Sequence, residues 1–242
     1  KSLLVTTMEY LFKAGGDPRK KDIFEGLYIY DKWDWSQTNP IIKIGFSSIS
    51  HIEKGLYQAI EDTLIDTAKT YEIVLEERTI SAKFKELIQK LDAKYGKVVV
   101  LIDEYDKPII DYIEKNTAKA LENRDILKSF YSILKDADPH LKLVFITGVS
   151  KFSRVSIFSD LNNLNDIMLD ENYSGICGIT RSELEQNFSQ ELEAYGADKI
   201  KQWYNGYHWK GKESVYNPFS LVNFFVKYSF IAPTKKVVDK IG

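Results

Sequence analysis

Apolar positions along the chain fall into two kinds of pattern, spaced helical faces and short unbroken runs. From Ser2, the residues Leu3, Leu4, Met8, Leu11 and Phe12 recur at helical spacing until Gly15-Gly16-Asp17-Pro18 ends the segment. Pro40–Ser47 is a β-branched run closed by small polar residues and predicts a strand. Ile52, Leu56, Ile60, Leu64 and Ala68 mark one face of a helix, and Phe84, Leu87, Ile88, Leu91 and Tyr95 mark another, with Gly96 as its stop. Val98–Ile102 is five consecutive apolar residues, the signature of a strand covered on both faces. A helical stretch around Ala118–Lys135 leads to a second run read as buried, Leu141–Ile146, ending at Thr147-Gly148. Strands near residues 43, 100 and 144 with helices between them predict right-handed βαβ units in a three-layer α/β domain.

Beyond about residue 180 the pattern changes. Thr180 and Glu183 have capping-box spacing at a helix start. An acidic helical stretch, an aromatic cluster (Trp203, Tyr204, Tyr207, Trp209) and an apolar helix opened by Asn217-Pro218 follow. The expected division is an α/β core over residues 1–178 and a small helical or winged-helix-like subdomain over 179–242.

Composition narrows the function classes. The 242 residues carry 33 basic and 35 acidic side chains, a net charge of -2, so there is no overall basic field to draw nucleic acid or anionic membrane. No apolar stretch approaches the ~18 residues of a membrane span. The single Cys177 excludes an intrachain disulfide framework, fits a reducing, cytoplasmic setting, and reads as a buried structural thiol. His51, His140 and His208 show no metal-ligand spacing. The chain opens at Lys1, without methionine and directly in a helical pattern, and is expected to continue upstream.

In parallel sheets ligands gather at the carboxyl ends of strands, which directs attention to Asp103, Glu104, Tyr105, Asp106 and Lys107. A carboxylate at the tip of a buried strand is costly unless something binds it. Asp103 suits a magnesium ligand and Glu104 a general base for water. An isolated strand ending in Asp-Glu is also a common solvated turn, and both readings stand on local grounds. Lys1-Ser2 heading a helix matches the last two letters of G-x-x-x-x-G-K-[ST], where lysine reaches phosphates and serine takes a magnesium position. Thr147 stands where additional-strand ATPases carry a polar γ-phosphate sensor, and reads equally as an ordinary strand-end threonine; Lys151 and Arg154 follow it closely, as phosphate contacts or as exposed cations with no specific role.

Val98–Asp111 (VVVLIDEYDKPIID), Phe145–Asp166, Trp203–Phe225 and Phe24–Trp35 together resemble the bacterial AAA-ATPase-like domain family. The resemblance implies a P-loop NTPase-type parallel sheet of the additional-strand type, ATP and Mg2+ as cofactors, and often a C-terminal PD-(D/E)XK nuclease-like domain. It implies Lys1 as the phosphate-binding lysine, Ser2 and Asp103 as magnesium ligands, and Glu104 as base. The P-loop glycines are expected just before Lys1. No nuclease-type constellation follows within the chain, so any nuclease domain lies outside it, and oligomers are compatible with the family. The leading function is a nucleotide-dependent ATPase switch in which Trp203–Phe225 responds and Asn217 contacts nucleotide. The alternative is a degenerate P-loop scaffold that binds partners or positions a nuclease without hydrolysis. A glycan-binding module using Trp33, Trp35, Trp203 and Trp209 is a third, remote reading.

Overall fold

A computed structural model describes residues 1–149, 157–158, 161, 163–168, 170–204 and 214–229. The chain divides into two compact units, Lys1–Leu164 and Asn165–Gly242. The seam falls earlier in the chain than the residue 178 boundary read from the sequence.

Unit 1 is an α/β domain on a three-stranded parallel sheet. Helix α1 (Ser2–Phe12) is followed by the short α2 (Pro18–Asp22), a 3-10 turn at Tyr28–Asp31, and strand β1 (Ile41–Gly45). Helices α3 (His51–Lys54), α4 (Leu56–Thr70) and α5 (Ile80–Tyr95) lead to strand β2 (Val98–Asp103). Helices α6 (Lys107–Ile113) and α7 (Thr117–Asp136) then lead to strand β3 (Leu141–Ile146). The strand order is β1-β2-β3, with Gly45 opposite Asp103 and Ile102 opposite Ile146.

The central strand explains the layering. Successive residues of β2 point to opposite faces. Val98, Val100 and Ile102 enter a cluster with residues of α4, α5 and α7, among them Leu64, Phe84, Leu87, Ile88 and Phe130. Val99 and Leu101 meet Val5 and Phe12 of α1 instead. Phe84 and Phe130 stack with centroids 4.5 Å apart and tie α5 to α7 across the larger face. Trp33 closes the smaller face edge-on against Phe12 at 5.0 Å. The outward amide of Ile41 on β1 donates to the Tyr71 hydroxyl at 2.8 Å, so that edge of the sheet is capped by a side chain.

Four sequence expectations change in detail. Leu3 is 76% exposed, and the buried face of α1 is Val5 and Phe12 with Met8 packed against them. Ile52 is 66% exposed because Gly55, at φ +83, breaks the expected helix into α3 and α4 and rotates Ile52 off the buried face. The run Leu141–Ile146, read as buried, is mostly half-buried because β3 has a sheet neighbour on one side only among the described residues. Helix α6 begins where the sequence showed only an acidic strand end.

Unit 2 is built from α8 (Arg181–Asn187), α9 (Ser189–Tyr195), α10 (Ala197–Tyr204) and α11 (Pro218–Ser229). Thr180 and Glu183 form the expected reciprocal capping box. Leu184, Ile200, Tyr216, Leu221, Phe224 and Phe225 make its core, and Ile179 pairs with Tyr216 in an antiparallel bridge. Cys177 is half-buried rather than buried, since it lies in the turn ahead of that bridge. No helix among the described residues is long and apolar enough to cross a membrane.

Truncating a stacked core ring should be far costlier than truncating the exposed leucine of α1. Phe130→Ala is expected to lose about 3–5 kcal/mol and Leu3→Ala no more than about 0.5 kcal/mol, both read by chemical denaturation.

Candidate functional site

The carboxyl ends of β2 and β3 stay hydrogen-bonded beyond the strands. The amide of Thr147 donates to the Ile102 carbonyl at 2.8 Å, and the amide of Tyr105 donates back to the Thr147 carbonyl at 3.0 Å. The Thr147 hydroxyl donates to Asp103 Oδ1 at 2.5 Å. On the β1 side, the amide of Phe46 donates to the Asp103 carbonyl at 3.1 Å. Asp103 is therefore pinned from both neighbouring strands, while its Oδ2 takes no hydrogen bond from a described residue.

Lys1 reaches the same rim. Its Nζ donates to the Gly148 carbonyl at 2.6 Å. Lys1, Thr147 and Asp103, far apart in sequence, thus converge. Ser2 opens α1 and is exposed. Asn217 sits in unit 2, where its carboxamide oxygen accepts from the Ser220 amide at 3.1 Å and caps α11. Lys151, Arg154 and Trp209 lie outside the described residues. Of the remaining tryptophans, Trp35 packs on Phe24 and donates from Nε1 to the Tyr30 carbonyl, and Trp203 is half exposed on α10.

Glu104 adopts φ +53, in the left-handed region. For a residue with a side chain this conformation costs about 1–2 kcal/mol, and such outliers concentrate where geometry is held for a task. The strain lets the chain turn sharply off β2, so that Tyr105 returns to bond Thr147 and α6 starts three residues later.

Two groups at this end were not assigned roles from the sequence. Asp106 is 2% exposed, and both its carboxylate oxygens accept from the Val149 amide, at 2.9 and 3.2 Å. Gly148 leaves no space for a side chain, because a Cβ there would lie 2.3 Å from the Tyr105 ring and 2.8 Å from Asp106 Oδ1. Their only sequence signal was position, Asp106 inside DEYD and Gly148 after the strand-end threonine. The second group is a charged chain on the flank. Asp111 accepts from Lys107 Nζ at 2.9 Å and lies 3.1 Å from Nε2 of the buried His51, joining α6 to α3. Burial pushes the Asp111 carboxyl up, but the Lys107 and His51 hydrogen bonds outweigh it and leave the group below the ordinary carboxylate range. Donating to Asp111 raises Lys107 in turn.

A parallel three-stranded sheet with helices between its strands is compatible with a P-loop-like α/β fold. The chain belongs to the AAA-ATPase-like family: the family described as "Predicted AAA-ATPase" matches residues 1–158. It is also 43% identical over 232 residues to the "Uncharacterized protein in vnfD 5'region" of Azotobacter chroococcum mcd 1, covering 95% of this chain and 44% of that protein. The chain thus spans less than half the length of this relative. No solved structure matches the chain.

Two outcomes follow from the geometry. Glu104→Gly should leave stability unchanged or raise it by up to about 1 kcal/mol, since glycine relieves the left-handed strain. A denaturation curve showing a loss of that size would contradict the strain. Asp111→Ala should cost about 1–3 kcal/mol by stranding the buried His51 and removing the partner of the half-exposed Lys107. Because the folded carboxyl titrates below its unfolded value, that difference is full above about pH 4 and closes as acid protonates the folded group. Denaturation of both proteins across pH 2–7 measures the closing.

Proposed function

We propose that this domain binds ATP with Mg2+ at the carboxyl ends of β2 and β3 and hydrolyses it as a nucleotide-dependent switch. The observation that supports this most is the convergence of Asp103, Thr147 and Lys1 on one rim, held by the Thr147–Asp103 and Lys1–Gly148 hydrogen bonds. The groups suit the cofactor. Magnesium favours oxygen ligands, is commonly held by one or two carboxylates, and shares the rest of its shell with phosphate and water. The unengaged Oδ2 of Asp103 is such an oxygen.

In this reading Asp103 and the Ser2 hydroxyl hold the metal, and Lys1 meets the phosphates at the start of α1, where the helix dipole also favours an anion. Bound magnesium neutralises phosphate charge and orients the reacting phosphoryl group. Glu104 accepts a proton from the attacking water. Thr147 senses the γ-phosphate by exchanging its donation to Asp103 for one to phosphate oxygen. Lys151 and Arg154 add positive charge after β3, and Asn217 and the C-terminal unit respond to the nucleotide. The core and subdomain roles, the additional-strand type of the sheet, and any attached nuclease-like domain belong to the same proposal.

The test uses the protein that contains this chain. Wild type should show thermal stabilisation by MgATP and measurable turnover. Glu104→Gln should keep the stabilisation and lose about 100-fold or more in kcat, while Asp103→Ala should lose the magnesium-dependent part of the stabilisation. Stabilisation without turnover in wild type would favour the scaffold reading, and no response to millimolar MgATP would overturn nucleotide binding.

A further inference from the structure

We propose that Asp106 is a positioning residue that sets the Thr147–Val149 segment and thereby the placement of the Thr147 hydroxyl and of Lys1; the inference rests on the ATPase reading of the rim. Asp106 occupies the N-cap position of α6, where an aspartate ordinarily accepts from amides of its own helix. It makes no such capping bond here. Pro108 at the start of α6 removes one of the amides that a cap would serve. The carboxylate instead reaches across to the Val149 amide, 43 positions away, with both oxygens.

The physical cost shows that this is a specific arrangement. A carboxylate 2% exposed has given up its hydration, and only strong hydrogen bonds offset that loss. The segment it holds is constrained on every side that the described residues supply. Thr147 is bonded through its amide to Ile102, through its carbonyl to Tyr105 and through its hydroxyl to Asp103. Gly148 is pressed against the Tyr105 ring so closely that no side chain fits. Tyr105 leans on Phe158 at 5.0 Å, and Phe158 on the fully buried Tyr131 at 5.3 Å, so the ring cannot retreat. The Gly148 carbonyl, on which Lys1 rests, is therefore oriented by Tyr105 on one side and by the Val149–Asp106 bond on the other. Without Asp106 the Gly148–Val149 peptide loses that acceptor, and the carbonyl that positions Lys1 loses one of its two constraints.

This role separates from general stabilisation by what it changes. A misplacement of about 1 Å at a group that orients reacting atoms costs on the order of 100-fold in rate. Asp106 is 2% exposed and acts through Thr147 and Lys1, so its loss should lower kcat by more than it weakens MgATP binding. Asp106→Ala removes the acceptor, whereas Asp106→Asn keeps one oxygen for the Val149 amide.

The experiment compares wild type, Asp106→Ala and Asp106→Asn in the full protein by steady-state ATP hydrolysis, MgATP binding and hydrogen exchange of the Val149 amide. Asp106→Ala should lose about 10- to 100-fold in kcat, weaken its MgATP Kd by a smaller factor through Lys1, and exchange the Val149 amide faster. Asp106→Asn should restore protection and most of the turnover. An active wild type with Asp106→Ala turning over within about twofold of it would overturn the inference alone. Equal losses in kcat and binding, or no rescue by asparagine, would also overturn it. An inert wild type would bring down the ATPase reading first, and the inference with it.

Discussion

The parallel pairing of β2 with β3 continues past the last residues of both strands, and the rest of the site hangs on that continuation. Ile102, Asp103 and Tyr105 meet Thr147 through three hydrogen bonds, two between backbones and one from a hydroxyl to a carboxylate. A strand tip normally frays into solvent. Here the tip of a fully buried strand is held in register, so an acidic side chain keeps one orientation at the point where the sheet opens. The surrounding core keeps it rigid: the β2 residues before Asp103 are buried on both faces, between α1 and the α4, α5 and α7 layer.

Holding that register has a local cost, and the cost falls on Glu104. Its left-handed backbone turns the chain so that Tyr105 returns to Thr147 and α6 starts at once. The two carboxylates of the pair thereby differ. Asp103 Oδ1 is held by the Thr147 hydroxyl just past β3, whereas Glu104 is set apart by its left-handed backbone. That difference matches the proposed division between a metal ligand, which must be placed, and a base, which must face water.

The sequence displayed the frame of this domain more fully than its junctions. Five unbroken apolar residues located β2, and the periodic faces ending at Gly96 located α5, because burial leaves a local record. The half-burial of β3 left no such record, since it depends on how many neighbours the strand has. Ile52 was misread because its spacing continued that of α4 across Gly55, whose positive φ breaks the helix. At the site, Asp103, Glu104, Lys1 and Thr147 stood out by their place relative to strands and helix. Asp106 did not, because its partner is the Val149 amide, and a backbone donor carries no residue-type signature. The His51–Asp111 contact was hidden for a related reason: it joins segments 60 positions apart with no shared motif.

The central claim is that the tip of β2 is a metal-nucleotide site, and a crystal structure with Mn2+ in place of Mg2+ and a non-hydrolysable ATP analogue tests it most directly. The anomalous peak of the metal should lie about 2 Å from an Asp103 carboxylate oxygen, with the γ-phosphate within hydrogen-bonding reach of Thr147. A metal and nucleotide bound elsewhere, with the Asp103–Thr147 hydrogen bond unchanged and its rim empty, would contradict the account.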